Sequence, residues 1–335
     1  MNPSIVITSN KKIYYRLIAL WAVCEGFLGG IIFSFKLPVS GLLVGGAAII
    51  CISLIAHYVP AKGSIIKATI IVAVFKMMLS PHSPPPAYIA VFFQGLMGEL
   101  LFINKKYFKV SCLLLAIVAM VESALQRIFV LTILYGTNFW KAVNQFINGL
   151  THEKEVTNYS LMLAGLYLLL HVVAGIIIGI FTGKLPKKIA SSKNKEAYLI
   201  DTANTAILSP KTKKKKGIKT SLLIIWIILI ALYIQSNIPV GKPLLSSDVV
   251  LQILVRSALI ILGWYLVLSP LIMQWLKRWL EKKQGKFKED IQQILTLLPS
   301  TKKIIEKSWN LSAAKKGFAR IGLFSSIVLM NILHE

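Results

Sequence analysis

The chain has 335 residues, 56% of them hydrophobic, with a mean hydropathy of +0.69 and a formal net charge of +25. That apolar share exceeds the roughly 45–50% usual for a soluble domain. The basic residues are packed into short loops between apolar stretches, which argues against a nucleic-acid surface and for cytoplasmic loops beside anionic lipid.

Nine stretches read as membrane spans of roughly 17–25 residues. The first runs from Tyr14 to Phe33. It is too long for the apolar core of a signal peptide and lacks a small-x-small cleavage site, so it is expected to be retained. The second covers Val39 to Val59. The third, Ser64 to Leu79, is short and holds Lys67 and Lys76 near its ends, where both are expected to snorkel. It stops at Ser80-Pro81-His82-Ser83-Pro84-Pro85-Pro86, a run that cannot be helix because proline lacks the donor and clashes with the preceding turn. The fourth is Ala87 to Ile103, the fifth Val110 to Tyr135 and the sixth Tyr159 to Thr182. A lysine-rich linker, Gly183 to Lys219, follows. The seventh span is Thr220 to Ile238, the eighth Val249 to Trp275 and the ninth, short, Gly317 to Leu333.

With the N-terminus in the cytoplasm, 31 of the 38 basic residues fall inside. Only Lys36, Lys141, Lys154, Lys242 and Lys76 fall outside, and Arg127 and Arg256 lie within spans. The opposite orientation would invert that bias, so the positive-inside rule predicts an inner (plasma) membrane protein with a cytoplasmic N-terminus. The expected fold is all-α, a polytopic membrane helical bundle. A six-helix domain, 1–185, is followed by a basic cytoplasmic linker, 186–219. The last part, 220–335, holds two to three further transmembrane helices and cytoplasmic amphipathic helices.

In that last part Ile291, Ile294, Leu295 and Leu298 recur at helical spacing until Pro299, which is expected to break the helix; Ile304, Ile305, Trp309 and Leu311 begin another. Such helices either lie on the membrane surface, the reading preferred here, or dock a partner's groove.

Acidic residues number 13. Glu25, Glu99 and Glu122 sit within spans, where an unpaired carboxylate costs about 2.5 kcal/mol or more. Glu99, near the cytoplasmic end of its span, reads as the partner of Lys105. Glu122 shares a helix face with Gln126, and Arg127 follows; these line a polar cavity or form a structural pair. Tyr88 and Gln94 add polar groups to the fourth span, and Gly95 and Gly98 permit close helix approach. Asn138 and Trp140 lie on a short amphipathic helix after the fifth span, as an interfacial anchor or as a lid over a ligand. His171 is expected to bond a neighbour. Ala22, Gly26 and Gly30 form a small-residue face on the first span for helix packing. The cysteines Cys24, Cys51 and Cys112 lie without CxxC in or beside apolar stretches and read as buried hydrophobes. No GxxxxGK[ST], HExxH or GxSxG motif occurs, so no enzymatic role, catalytic residue, metal or cofactor is expected.

Six spans with both ends inside, a Pro-rich outer loop after the third and a polar fifth helix resemble the substrate-binding S component of energy-coupling-factor (ECF) vitamin transporters. The local likeness runs from Lys76-Met77-Met78-Leu79-Ser80-Pro81 through Pro86-Ala87-Tyr88 to Gln94-Gly95 and Gly98-Glu99, within residues 10–185. The resemblance implies a protein that captures a vitamin-like substrate outside and is energised by a T component and cytoplasmic ATPase subunits. The C-terminal part would then be a reduced T-like region, although Gly317-Phe318-Ala319-Arg320 is not the paired Ala-Arg-Gly-like motif of T components. The opening Met1-Asn2-Pro3 departs from the Met-His start of the cobalt and nickel members and disfavours a metal substrate. The expected function is uptake of a small polar metabolite. Glu25, Tyr88, Gln94, Glu122, Gln126, Arg127, Asn138 and Trp140 would line the cavity, with Trp140 stacked on a ring. The alternative is a membrane scaffold that recruits a cytoplasmic protein through its basic helices. Membrane lipid is a partner in both, nucleic acid in neither.

Overall fold

The structure, a computed structural model, describes residues 3–28, 40–80, 83–151, 158–190, 198–200 and 247–333. Among these it is all-helical, with eleven α-helices and no strand. They are α1 (Pro3–Val23), α2 (Ser40–Tyr58), α3 (Ser64–Leu79), α4 (Pro85–Leu101), α5 (Phe108–Tyr135), α6 (Thr137–Thr151), α7 (Tyr159–Ala190), α8 (Ser247–Gly263), α9 (Ser269–Lys286), α10 (Lys288–Leu311) and α11 (Gly317–Leu333). Three are long and apolar enough to cross a membrane: Gly41–Tyr58 of α2, α5 and α7. The expected seventh span, most of the basic linker, Pro81, His82 and Gly30 lie outside the described residues.

Several boundaries differ from expectation. α1 starts at Pro3, well before Tyr14, and passes into a π-helical turn at Cys24–Leu28. α7 carries on through Pro186 to Ala190, into what was expected to be linker. The eighth stretch continues through a π turn at Trp264–Leu268 into α9. The largest departure is Pro299, which lies inside an unbroken α10. The packed face on both sides of it, Ile291, Ile294, Leu298, Thr301, Ile304 and Ser308, is buried and carries the helix past the missing donor.

The chain gathers into two compact units: Met1–Met120 with Ala174–Lys211 and Leu276–Glu335, and Val121–Val173 with Thr212–Trp275. α10 and α11 pack onto α1, so the first unit draws on both ends of the chain.

In the first unit α1 is the central helix. From Ile13 to Gly26 every side chain but that of Arg16 is buried, as suits a helix apolar on all sides. It packs on α2, α3, α10 and α11. The buried stripe of α10 therefore faces its own chain, which corrects the surface-lying reading. Its start is anchored where Asp290 accepts from the Tyr15 hydroxyl (2.7 Å) and pairs with Lys67 (2.9 Å). α10 and α11 are locked by the Arg320 guanidinium over the Trp309 ring (4.1 Å), itself edge-on to Phe324. Asn331 of α11 clamps Tyr198 and Ile200 by donating to the Tyr198 carbonyl and accepting from the Ile200 N–H.

The contacts also give helix directions. The Tyr14 hydroxyl donates to Ser64 O and Lys76 reaches Glu25, so partners stay about 51 residues apart and α1 and α3 run parallel. Lys76 meets Ala87, Thr69 meets Gly95, and Glu99 meets Gly63 and Ile65, so α3 and α4 are antiparallel. Gly45 lies at Gln94 and Ile52 at Gly98, which makes α2 and α4 parallel. Gly45 also lies at Met120, and the His57 and Phe108 rings are 5.1 Å apart, so α2 and α5 are antiparallel.

α7 is drawn onto α5 by three glycines four residues apart. A Cβ on Gly175 would stand 2.9 Å from Ile117 Cα, one on Gly179 2.7 Å from Leu113 Cα and one on Gly183 3.4 Å from Lys109 Cα. Without a hydrophobic drive between helices in lipid, such backbone approach is what holds spans together. The same logic applies at Gly95 against Thr69 and Gly98 against Ile52, the close approach expected of that pair.

In the second unit α6 turns back from α5 at Gly136, whose φ of +75° suits a residue without a Cβ. The Arg256 side chain occupies the space a Cβ would need. Tyr135 and Ala142 pack with Val250, Ile253 and Leu254 of α8.

Candidate functional site

α2 and α3 pack on the π turn of α1, and α4 starts beside the last turns of α3. Pro85 and Pro86 open α4, where a missing N–H costs nothing because the first-turn donors are free in any case. This places Ala87 and Tyr88 beside the last turns of α3.

Lys76 does not snorkel. Its side chain is 4% exposed, its ammonium donates to Glu25 Oε2 at 2.6 Å and to Ala87 O at 3.0 Å, and it lies 5.8 Å from the Tyr88 ring centre. Glu25 is 3% exposed. The π turn contributes to this pairing. A one-turn π bulge adds a residue to the helix and is often found at functional sites, and here it spans the residue whose carboxylate must point inward. A buried ion pair is weak evidence for stability, since desolvation offsets most of the attraction. Buried charges within an apolar bundle are rare and need a reason, which makes this pair the candidate site.

Among the buried polar atoms of this unit without a hydrogen-bond partner are Trp21 Nε1, Tyr88 Oη and Gln94 Oε1. Trp21 lies one turn before Glu25 on α1, and Gln94 faces Gly45 of α2. Buried polar atoms are normally satisfied by protein or water, so each of these three is a candidate to bond a water or a solute. Tyr88 and Gln94 are 2% and 4% exposed.

Of the sequence candidates, Glu25, Tyr88 and Gln94 lie in this unit, and Lys76 brings Glu25 and Tyr88 together. Glu122, Gln126, Arg127, Asn138 and Trp140 lie in the second unit. Glu122 is half-buried, with Oε2 unmatched. Arg127 is exposed and makes no ion pair with Glu122 within 4.0 Å. Gln126, one turn on from Glu122, is half-buried. Asn138 donates to Gln252 Oε1 (2.6 Å) and the Trp140 indole N–H to Thr132 Oγ1 (3.0 Å), with its ring edge-on to Phe139. His171 bonds the Tyr167 carbonyl, the neighbour contact expected of it.

The side chain of Lys105, the partner expected for Glu99, lies outside the described residues, and Glu99 engages the start of α3. Its carboxylate caps the start of α3, accepting from the N–H groups of Gly63 (2.6 Å), Ile65 (3.2 Å) and Ile66 (3.4 Å). Negative charge is favoured at a helix N-terminus. Ala22 and Gly26 pack within the bundle, Gly26 against Leu79. The three cysteines are free and buried.

Sequence reasoning missed Lys76, Trp21 and the glycine repeat of α7. The repeat was visible as Gly175-x3-Gly179-x3-Gly183. Trp21 carried no signal beyond its place on an apolar span. Among the described residues no three His, Cys, Asp or Glu side chains cluster as metal ligands would. No known family, curated protein or solved structure matches the chain.

Proposed function

We propose that this chain is a plasma-membrane protein that captures a small polar, vitamin-like solute from outside through the α1–α4 bundle and releases it inward, driven by partner subunits. The carrying observation is the buried Glu25–Lys76 ion pair beside the Tyr88 ring, in a helical unit where Trp21 Nε1, Tyr88 Oη and Gln94 Oε1 are also buried without a hydrogen-bond partner. Supporting it, α1, α3 and α5 run one way and α2, α4 and α7 the other. Six such passes return the chain to the side it started from, which agrees with a cytoplasmic N-terminus and a basic segment after α7. The pair then faces outward, next to the proline loop. The alternative is a scaffold that recruits a cytoplasmic protein through its basic helices; the apolar stripe of α10 packs on α1 within the chain, which leaves only the basic residues of these helices for that role.

The test is ligand detection on the full-length protein in lipid nanodiscs, by mass spectrometry of co-purified solutes and by thermal stabilisation across vitamins and related polar metabolites. One solute class should raise the unfolding temperature, and the double variant Tyr88→Phe, Gln94→Leu should bind it at least tenfold more weakly without lowering the unliganded unfolding temperature. Absence of any bound solute, or uptake unchanged in that variant, overturns the proposal.

A further inference from the structure

We propose that Arg256 and Gln252, with Asn138 behind them, form a headgroup site for one phospholipid, taking its phosphodiester and seating its acyl chains along the exposed face of α8. The inference rests on the membrane assignment and not on solute capture.

The site lies in the second unit, where α6 and α8 pack through Ala142 and through Val250, Ile253 and Leu254. With that face of α8 buried, Leu251, Gln252, Val255, Arg256, Leu259 and Leu262 are left exposed. Gln252 and Arg256 stand one turn apart among them. Asn138 Nδ2 donates to Gln252 Oε1 at 2.6 Å, which occupies the amide oxygen and leaves the Gln252 NH2 to donate elsewhere. The Arg256 side chain lies against Gly136, two residues before Asn138, with Nε 2.9 Å from where a Cβ would stand. Among the described residues no carboxylate pairs with its guanidinium. A guanidinium and an amide NH2 one turn apart suit anionic oxygen, and the planar fork matches two oxygens of a phosphodiester.

Depth selects a lipid over a dissolved anion. From Arg256 the helix continues through the π turn into α9 and reaches Trp275 after 19 residues, about 28 Å at 1.5 Å each. No charged residue falls between them. That length matches a hydrocarbon core of about 30 Å. Arg256 therefore stands at one boundary of the core and the exposed Trp275 at the other, where tryptophan is favoured. The Tyr135, Phe139 and Trp140 rings, packed 5.6 and 5.0 Å apart in succession, form an aromatic belt at the Arg256 level. A cation at that depth meets lipid phosphate, and Leu259 and Leu262 continue from it as an apolar track for the chains.

Asp248 selects the headgroup. It is exposed one turn beyond Gln252, about 12 Å further along α8 than Arg256 and away from the apolar track. From hydrocarbon outward the face reads cation, amide, anion. A headgroup with its phosphate next to glycerol and an ammonium at its tip carries the opposite charges in the same order. Phosphatidylethanolamine fits that order, whereas phosphatidylglycerol leaves Asp248 unmatched.

The experiment titrates delipidated full-length protein in detergent and reads occupancy by native mass spectrometry. The probes are phosphatidylethanolamine, phosphatidylglycerol and diacylglycerol with the same chains, and chain-free glycerophosphoethanolamine. Wild type should hold phosphatidylethanolamine at least tenfold more tightly than diacylglycerol and at least threefold more tightly than phosphatidylglycerol, and the chain-free headgroup should not displace it. Arg256→Gln should bind phosphatidylethanolamine at least tenfold more weakly. Arg256→Lys, which keeps the charge without the fork, should lose at least threefold. Asp248→Asn should abolish the preference over phosphatidylglycerol. Lys307→Gln removes an exposed cation of the other unit and should change nothing. Both Arg256 and Asp248 are exposed, so these variants leave the core intact, and the comparison of probes on wild type carries the test without any variant. Equal retention of diacylglycerol, displacement by the chain-free headgroup, or unaltered binding in Arg256→Gln overturns the lipid site. A loss in Lys307→Gln as large as in Arg256→Gln reveals bulk charge attraction and overturns it too. An unchanged preference in Asp248→Asn overturns the headgroup assignment. Each of these results leaves solute capture standing.

Discussion

Replacing Gly179 by alanine should open the α5–α7 contact. The added Cβ would stand 2.7 Å from Leu113 Cα, and ordinary contact begins at 3.4 Å. The neighbour is backbone, so no side chain can swing away and α7 must lift by about 0.7 Å, the difference between those two distances. A gap of about 0.5–1 Å forfeits roughly a quarter to a half of each dispersion well along the seam, and the Gly175 and Gly183 approaches open with it. Overpacking of this kind costs about 1–3 kcal/mol. Gly165 on the same helix supplies the control, since a Cβ there meets nothing within 4 Å. Gly165→Ala should be neutral or gain up to about 1 kcal/mol from the lower backbone entropy of alanine. Denaturant unfolding of both variants in one detergent reads the difference directly, with an expected gap of about 1–4 kcal/mol from those two terms. Equal midpoints, or a more stable Gly179→Ala, would refute the claim that backbone approach binds these helices.

Lys76→Met should destabilise the protein by about 3–5 kcal/mol by stranding Glu25, and adding Glu25→Gln should recover most of the loss; additive losses in a double-mutant cycle would contradict the pair. Glu99→Ala removes the cap of α3 and should cost about 0.5–2 kcal/mol, with faster amide exchange at Gly63, Ile65 and Ile66 as the site-specific readout. Asp290→Ala releases both Tyr15 and Lys67, so hydrogen exchange in the first turns of α10 should accelerate while α4 is unaffected. Uniform acceleration across both helices would show that Asp290 is not a local anchor.

Much of the architecture was legible because hydropathy and proline placement act locally. The boundaries of α3, α4 and α11 follow from where apolar residues give way to Pro84, Gly63 or Gly317. Gly95 and Gly98 declared their role by size, and the cysteines by their apolar neighbours. The errors share a different cause. Lys76 sits three residues from the end of an apolar run, where snorkelling is the local optimum; its burial depends on a carboxylate 51 residues earlier. Pro299 removes a donor and so reads as a break, yet Ile294, Leu298, Thr301 and Ile304 pack on either side of it and outweigh the lost bond. Glu99 caps three amides at the start of another helix, a contact that proximity in sequence does not show. Sequence periodicity shows which face of α10 is apolar but not what covers it, and α1 covers it only because α10 returns to Tyr15 and Lys67.

The π turn at Cys24–Leu28 has an effect that reaches beyond Glu25. Each residue of an α-helix advances the azimuth by about 100°, so one residue too many re-phases everything downstream. Excising a single amino acid from this turn would swing the carboxylate roughly a quarter-turn off the ammonium it meets, with composition and hydropathy almost untouched. Point substitutions test the chemistry of this position; a one-codon deletion tests its clocking, and the molecule should tolerate many of the former far better than the latter.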